Sequence, residues 1–393
     1  MSMFSELQAE LRAAAATMEK TVQALADHQE RNAKSAGVDL ARFKALGERY
    51  HIKGHCLCGR EATLQREYLT LLAGLLLTDP AQAEGGWLFL QRIAAGGGVD
   101  LPSADLLADA GGLTTGELDG YTGDVSRAGL GEPLLLDAML LALAAGGSGP
   151  AYGYIAGLAE LLGCPAERLE TLAALAAAVA ERDRSRITDI IGACDPHALP
   201  PLLPQLTPAL GYYLFRPDRE TIWLEGDWYT PIPFEAYQKL SEERPSKLVI
   251  RNAYFTGYPL ELSSGRLNEV TMENCRVQGI EEPYGAIFSA EFVRTVQISG
   301  CVFRECATER DRSAISLGDA ALLSQIWIRD TVFANIEGRI FLYGRTNMEN
   351  VAMERIQSTE NWFVNYHGCS AVNCTYHDCS EEAGDLPAGF REI

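Results

Sequence analysis

From residue 222 onward the chain repeats one hydrophobic pattern. Two apolar residues sit two positions apart, polar residues lie between and after them, and the unit returns seven times. The apolar pairs are Ile222 and Leu224, Leu248 and Ile250, Val270 and Met272, Val296 and Ile298, Ile326 and Ile328, Val351 and Met353, and Val372 and Cys374. Successive units begin 26, 22, 26, 30, 25 and 21 residues apart. Side chains alternate faces along a strand, so each pair predicts a short strand with one buried face. The fifth position is Gly226, Asn252, Asn274, Gly300 or Asp330 in the first five units. These residues tolerate a left-handed backbone and predict a sharp bend. A small residue follows at Ala253, Cys275, Cys301 and Thr331. Between units lie second strands, at Leu260/Leu262, Ile287/Phe288, Ile315/Leu317, Ile340/Leu342 and Trp362/Val364.

A period of this length belongs to solenoids, in which each rung needs its neighbours to bury its backbone. Over 222–379 the pattern resembles the right-handed parallel β-helix. The cysteines at 275, 301 and 306 then read as small inward residues stacked from rung to rung.

Before residue 213 the period is helical. Apolar positions from Phe4 to Leu25 follow a 3-4 spacing and predict an N-terminal helical arm over 1–50. Residues 51–212 read as a helical bundle broken at Gly96-Gly97-Gly98, Gly146-Gly147 and Gly163. The prolines of LPPLLPQLTP (199–208) are expected to end it, with the domain boundary near 205–220 and the β-helix over 213–393. The fold class is therefore α + β and multidomain, an all-α bundle followed by a parallel β-helix. The stretch LLLDAMLLALAA, followed by AYGYIAGLAELLGCPAERLETL, resembles the TerB-like tellurite-resistance domains over Leu134 to Val179. That family carries an acidic Asp-Gly loop between the two helices. Here the loop is Gly146-Gly147-Ser148-Gly149-Pro150 and has no carboxylate. The resemblance implies a component of bacterial multiprotein stress-response or phage-defence systems.

Charge narrows the function. The net charge of −20 divides evenly, −10 in residues 1–209 and −10 in 210–393, with no basic patch for a phosphate backbone. No nucleic-acid partner is expected. No run reaches the ~18 apolar residues of a membrane span. The start of the chain, charged early, lacks a signal-peptide core, so membrane insertion is not expected and the location reads as cytoplasmic. Ten cysteines in such a compartment are expected to be reduced.

Two clusters could hold a metal. His51, His55, Cys56 and Cys58 fall within HIKGHCLCGR, beside glycines that permit a tight loop, and read as a zinc or redox-sensing module. His367, Cys369, Cys374, His377 and Cys379 form a second set, but two of its cysteines fall at inward positions. No nucleotide loop or Gly-x-Ser-x-Gly motif occurs. A β-helix that binds or cleaves carbohydrate would need stacked outward carboxylates. Glu273 and Glu354 share an outward position, but Ser299 and Arg329 occupy it between them. No cofactor other than zinc is suggested, and no catalytic residue. The expected role is a non-catalytic scaffold or adaptor for protein partners, with homo-oligomerisation open. Trp223, Trp327, Arg304, Arg329, Arg339 and Arg345 are its candidate contacts, since aromatic and Arg side chains anchor interfaces.

Overall fold

The computed structural model describes residues 40–78, 84–100, 103–243, 245–262, 266–309, 312–380, 384 and 386–393. The amphipathic stretch from Phe4 to Leu25 lies outside them. The chain forms two compact units, Met1–Leu210 and Gly211–Ile393. Eleven helices are described, ten of them in the first unit.

The first unit is organised around Gly131–Ala144, a helix buried on every side from Pro133 to Ala142. A helix that is apolar all round belongs in the middle of a bundle. Ala62–Leu77 and Glu84–Gly96 pack against it, and glycines set the spacing. A Cβ at Gly85 would meet Ala144 O at 2.2 Å, and one at Gly74 would meet Tyr154 Oη at 2.6 Å. Tyr154 donates that hydroxyl to Leu71 O at 2.9 Å. The helix Thr115–Arg127 opens with a capping box between Thr114 and Glu117. The proline-rich segment does not simply end the unit. Leu203–Leu210 is a helix with Pro208 inside it. Pro208 leaves the Pro204 carbonyl without its i+4 donor, and Thr207 Oγ1 supplies one at 3.1 Å.

The second unit holds a twelve-stranded and a seven-stranded sheet, and nearly all its ladders are parallel. Tyr212–Phe215 is the exception. It runs antiparallel to Thr221–Gly226, so the larger sheet is mixed. The arrangement is compatible with a solenoid. One ladder runs through Ile222, Leu248, Val270, Val296 and Ile326, and beside it another runs through Leu224, Ile250, Met272, Ile298 and Ile328. These ten side chains are buried.

The last two rungs correct the expected register. Thr346 and Met348 pair with Ile326 and Ile328, and Cys369 and Ala371 follow them. Val351 and Cys374 instead continue the small-residue column of Ala253, Cys275, Cys301 and Thr331, all six buried. Val372 is exposed. The apolar anchors failed because Thr346 and Cys369 occupy the first position. The bend survived as the true marker. Asn252, Asn274, Gly300, Asp330, Asn350 and Asn373 all hold φ between 48° and 62°.

A second left-handed column runs down the smaller sheet through Gly279, Glu305, Asn335, Arg355 and Asp378. Inside, Phe288, Phe303 and Phe333 stack with ring centroids 5.5 Å and 5.1 Å apart.

Candidate functional site

The loop 51–59 is built by its neighbours. Gly54 and Gly59 turn it with φ of 70° and 73°. Gln65 Nε2 donates to Leu57 O at 2.9 Å and to Gly97 O at 3.0 Å, tying the loop to the end of Glu84–Gly96. The fit there is close, since a Cβ on Gly96 would meet Ile52 O at 2.2 Å.

This frame separates the four expected metal ligands. His51 Nδ1 lies 2.9 Å from Glu48 O, on its own helix end. His55 is buried and Cys58 exposed. Among the described residues no three His, Cys, Asp or Glu side chains group so as to hold a metal ion. The later set is divided too. Cys374 is in the core, and His377 Nδ1 lies 2.6 Å from Ile393 O.

What His55 finds instead is Asp137, in the middle of the central helix. His55 Nε2 lies 2.9 Å from Asp137 Oδ2, both side chains fully buried. Tyr68 donates its hydroxyl to the same oxygen at 2.6 Å. Asp137 Oδ1 has no hydrogen-bond partner. On the far side of the ring, Leu57 N–H donates to Nδ1 at 3.3 Å, and Cys56 Sγ lies 3.9 Å from Nδ1. Burial alone pulls the imidazole down. The charges of Cys56 and Asp137 and their hydrogen bonds outweigh it and push His55 up to about 10. Burial and the same carboxylate raise the Tyr68 hydroxyl. The lone carboxylate in PLLLDAMLLALAA was the signal in the sequence for this cluster, because a charge inside an all-apolar helix must find partners.

The six expected contact residues lie on three different faces. Trp327, Arg329 and Arg345 share the outer face of adjacent rungs of the larger sheet. Trp223 is level with Trp327 in the same ladder, three rungs from Trp327's neighbour Gln297, and is half-buried. Phe215 meets it edge-on at 6.2 Å and the Arg251 guanidinium lies 5.4 Å from its ring. Arg304 is on the smaller sheet. Arg339 opens the strand Arg339–Glu349, where it pairs with Ser313 rather than with the strand that carries Trp327; it stacks on Phe341 at 4.5 Å and pairs with Glu360.

Two of the outward carboxylates are paired with cations. Arg251 Nε lies 2.9 Å from Glu273 and Arg329 Nε 3.5 Å from Glu349. Glu349, rather than Glu354, is level with Glu273 in the ladder, and Glu354 lies on the smaller sheet.

One feature has no counterpart in the hydrophobic pattern. At the corner where strands Phe288–Glu291 and Ser313–Gly318 lead into Thr295–Ser299 and Ser324–Arg329, two consecutive rungs expose bulky apolar side chains. Phe292 is 60% exposed, Leu322 42% and Leu323 52%. Phe292 and Leu323 hold left-handed φ of 60° and 51°, rare and strained for such side chains. The corner is pinned from within. Asp319 Oδ1 accepts from Ala321 N at 2.6 Å and Leu322 N at 3.2 Å, and Ser324 Oγ donates to Val293 O at 2.6 Å. The next rung passes the corner as one unbroken strand, Arg339–Glu349, with Gly344 level with Ser324, so the 319–323 loop stands out from the ladder.

The chain matches no family model, no curated protein and no solved structure. No helix among the described residues is long and apolar enough to cross a membrane.

Proposed function

We propose that the protein is a non-catalytic scaffold or adaptor, and that the 292/322–323 corner is where it grips a protein partner. The strained exposure of Phe292 and Leu323 on a pinned corner carries this reading. Strain at solvent-facing apolar residues is retained where it serves contact, and a preorganised surface loses little entropy on binding. Trp327 and Arg345 lie on the sheet face that begins at this corner and supply the aromatic and guanidinium groups that favour interfaces. We read the second unit as a right-handed parallel β-helix, a rigid spacer that holds the corner. The resemblance of Leu134–Val179 to TerB-like domains supports a place in a cytosolic bacterial stress-response or phage-defence assembly.

The test is a pull-down of the tagged full chain from its native host, beside a Phe292→Asp/Leu323→Asp variant. The expected result is one or two stoichiometric proteins with the wild type and their loss with the variant. Recovery of the same proteins at the same ratio with both chains would overturn the assignment of the corner. Recovery of none with the wild type would overturn the adaptor reading.

A further inference from the structure

We infer that Cys56 is a nucleophilic thiol that reacts with hydroperoxides, activated by a relay through His55 to Asp137. This chemistry does not depend on the adaptor role.

The relay follows from which ring nitrogen is free to act as base. His55 Nε2 faces Asp137 Oδ2 at 2.9 Å, and a carboxylate only accepts, so Nε2 carries the proton. Nδ1 is then the nitrogen that exchanges a proton with Cys56: it accepts Leu57 N–H while the thiol keeps its proton, and the ring, whose hold on a proton is strengthened by the Cys56 charge and by Asp137, draws that proton across. The Leu57 contact, at 3.3 Å, is long. Cys56 Sγ, 3.9 Å away, has Nδ1 as its proton acceptor. A thiol whose proton can pass to a carboxylate-backed imidazole has the arrangement of an activated nucleophile. Asp137 stabilises the imidazolium that forms, and Tyr68 fixes the carboxylate oxygen that does so. The base is sealed in the interior while Cys56 itself is half-buried, so a small reagent can reach the sulfur and water is kept from the ring. No other described cysteine has this setting. Cys275, Cys301, Cys306 and Cys374 are buried, with their thiols directed at backbone carbonyls. Cys369 is pushed up to about 12 by burial.

The step balances. Nδ1 takes the Cys56 proton, and the sulfur attacks the terminal oxygen of a hydroperoxide. The S–O bond forms as the O–O bond breaks. The leaving alkoxide or hydroxide takes the proton back from His55 and departs as alcohol or water. Cys56 is oxidised to a sulfenic acid and the peroxide is reduced.

The experiment uses the full chain, dialysed against a chelator so that bound metal cannot mask thiols. Brief iodoacetamide labelling across pH 6 to 9 is followed by peptide mass spectrometry, with Cys58, Cys164 and Cys194 as internal references. At pH 6.5 Cys56 is expected to label about tenfold faster than Cys58, since iodoacetamide reacts with the thiolate and the His55 base lies beside Cys56. In concentrated urea the two rates should become equal. Hydrogen peroxide followed by dimedone should tag Cys56 first, and His55→Asn should abolish both preferences while leaving the Cys58 rate unchanged. Equal labelling of Cys56 and Cys58 in the folded wild type would overturn the proposal, and so would dimedone tagging spread evenly over the exposed thiols.

Discussion

Asn350 stands directly over Asp330, donating Nδ2 to Oδ1 at 2.8 Å, and the two share a left-handed backbone with φ of 54° and 48°. The same bend recurs rung after rung, so the residue filling it must both accept the backbone angle and extend the side-chain ladder. Asn does both, Gly only the first, Ala neither. Asn350→Ala is therefore expected to cost about 2–3 kcal/mol, roughly 1–2 from left-handed strain and about 1 from the lost hydrogen bond. Asn350→Gly should cost about half as much. Urea denaturation followed by the β-sheet circular dichroism signal checks the order, and an Ala variant as stable as the wild type would refute it.

That bend also marks how far the fold could be read from the sequence. Apolar pairing located five rungs, because Ile, Leu, Val or Met fills both inward positions there. It slipped by several residues at the sixth, where Thr346 is buried in place of an aliphatic residue. Following Asn and Asp instead of the aliphatics would have kept the register through Asn350 and Asn373. The second left-handed column was illegible, since Glu305 and Arg355 carry no preference for that geometry. The His55–Asp137 pair was half legible. The histidine stood out in its cluster, but its partner is 82 residues away and only packing brings them together.

Two glycines in contrasting surroundings are expected to respond with opposite signs. Gly344 passes so close to the neighbouring rung that a Cβ would meet Ser324 O at 2.3 Å and its carbonyl carbon at 2.9 Å, both backbone atoms that cannot move aside. Gly344→Ala should destabilise the second unit by several kcal/mol, the scale of overpacking against fixed structure. Gly157 lies within the helix Gly149–Leu161, and a Cβ added there would have nothing within 4 Å. Gly157→Ala should stabilise by about 0.5–1 kcal/mol through helix propensity alone. Thermal melts of the two variants beside the wild type decide between these signs.

Removing Asp137 leaves His55 and Tyr68 with buried donors and no acceptor. Asp137→Leu is expected to cost about 3–5 kcal/mol, the usual penalty for breaking a buried pair from one side. His55→Leu combined with Asp137→Leu should cost less than the sum of the two single changes, because neither partner is then stranded. A double-mutant cycle by chemical denaturation measures the difference. Strict additivity would mean that the two side chains do not interact.

Glu225 gives the fold a pH dependence whose sign can be worked out. The side chain is buried and accepts from Asn252 Nδ2. Burial raises its pKa to about 7; Arg251 and the Asn252 hydrogen bond oppose the shift without cancelling it. A carboxyl whose folded pKa lies above its unfolded value binds more protons in the folded state. Its contribution to stability is complete below the unfolded value near 4.5 and is lost as pH rises through about 7. At pH 8 the folded chain therefore holds an ionised carboxylate that its site disfavours. The penalty is on the order of 3 kcal/mol, at about 1.4 kcal/mol per pH unit. Glu225→Gln keeps an oxygen for Asn252 and removes the charge. It should stabilise the second unit at pH 8, change little at pH 4.5, and flatten the fall in stability between them. Denaturation midpoints at the two pH values test this, and a variant with the same pH slope as the wild type would show that some other group sets it.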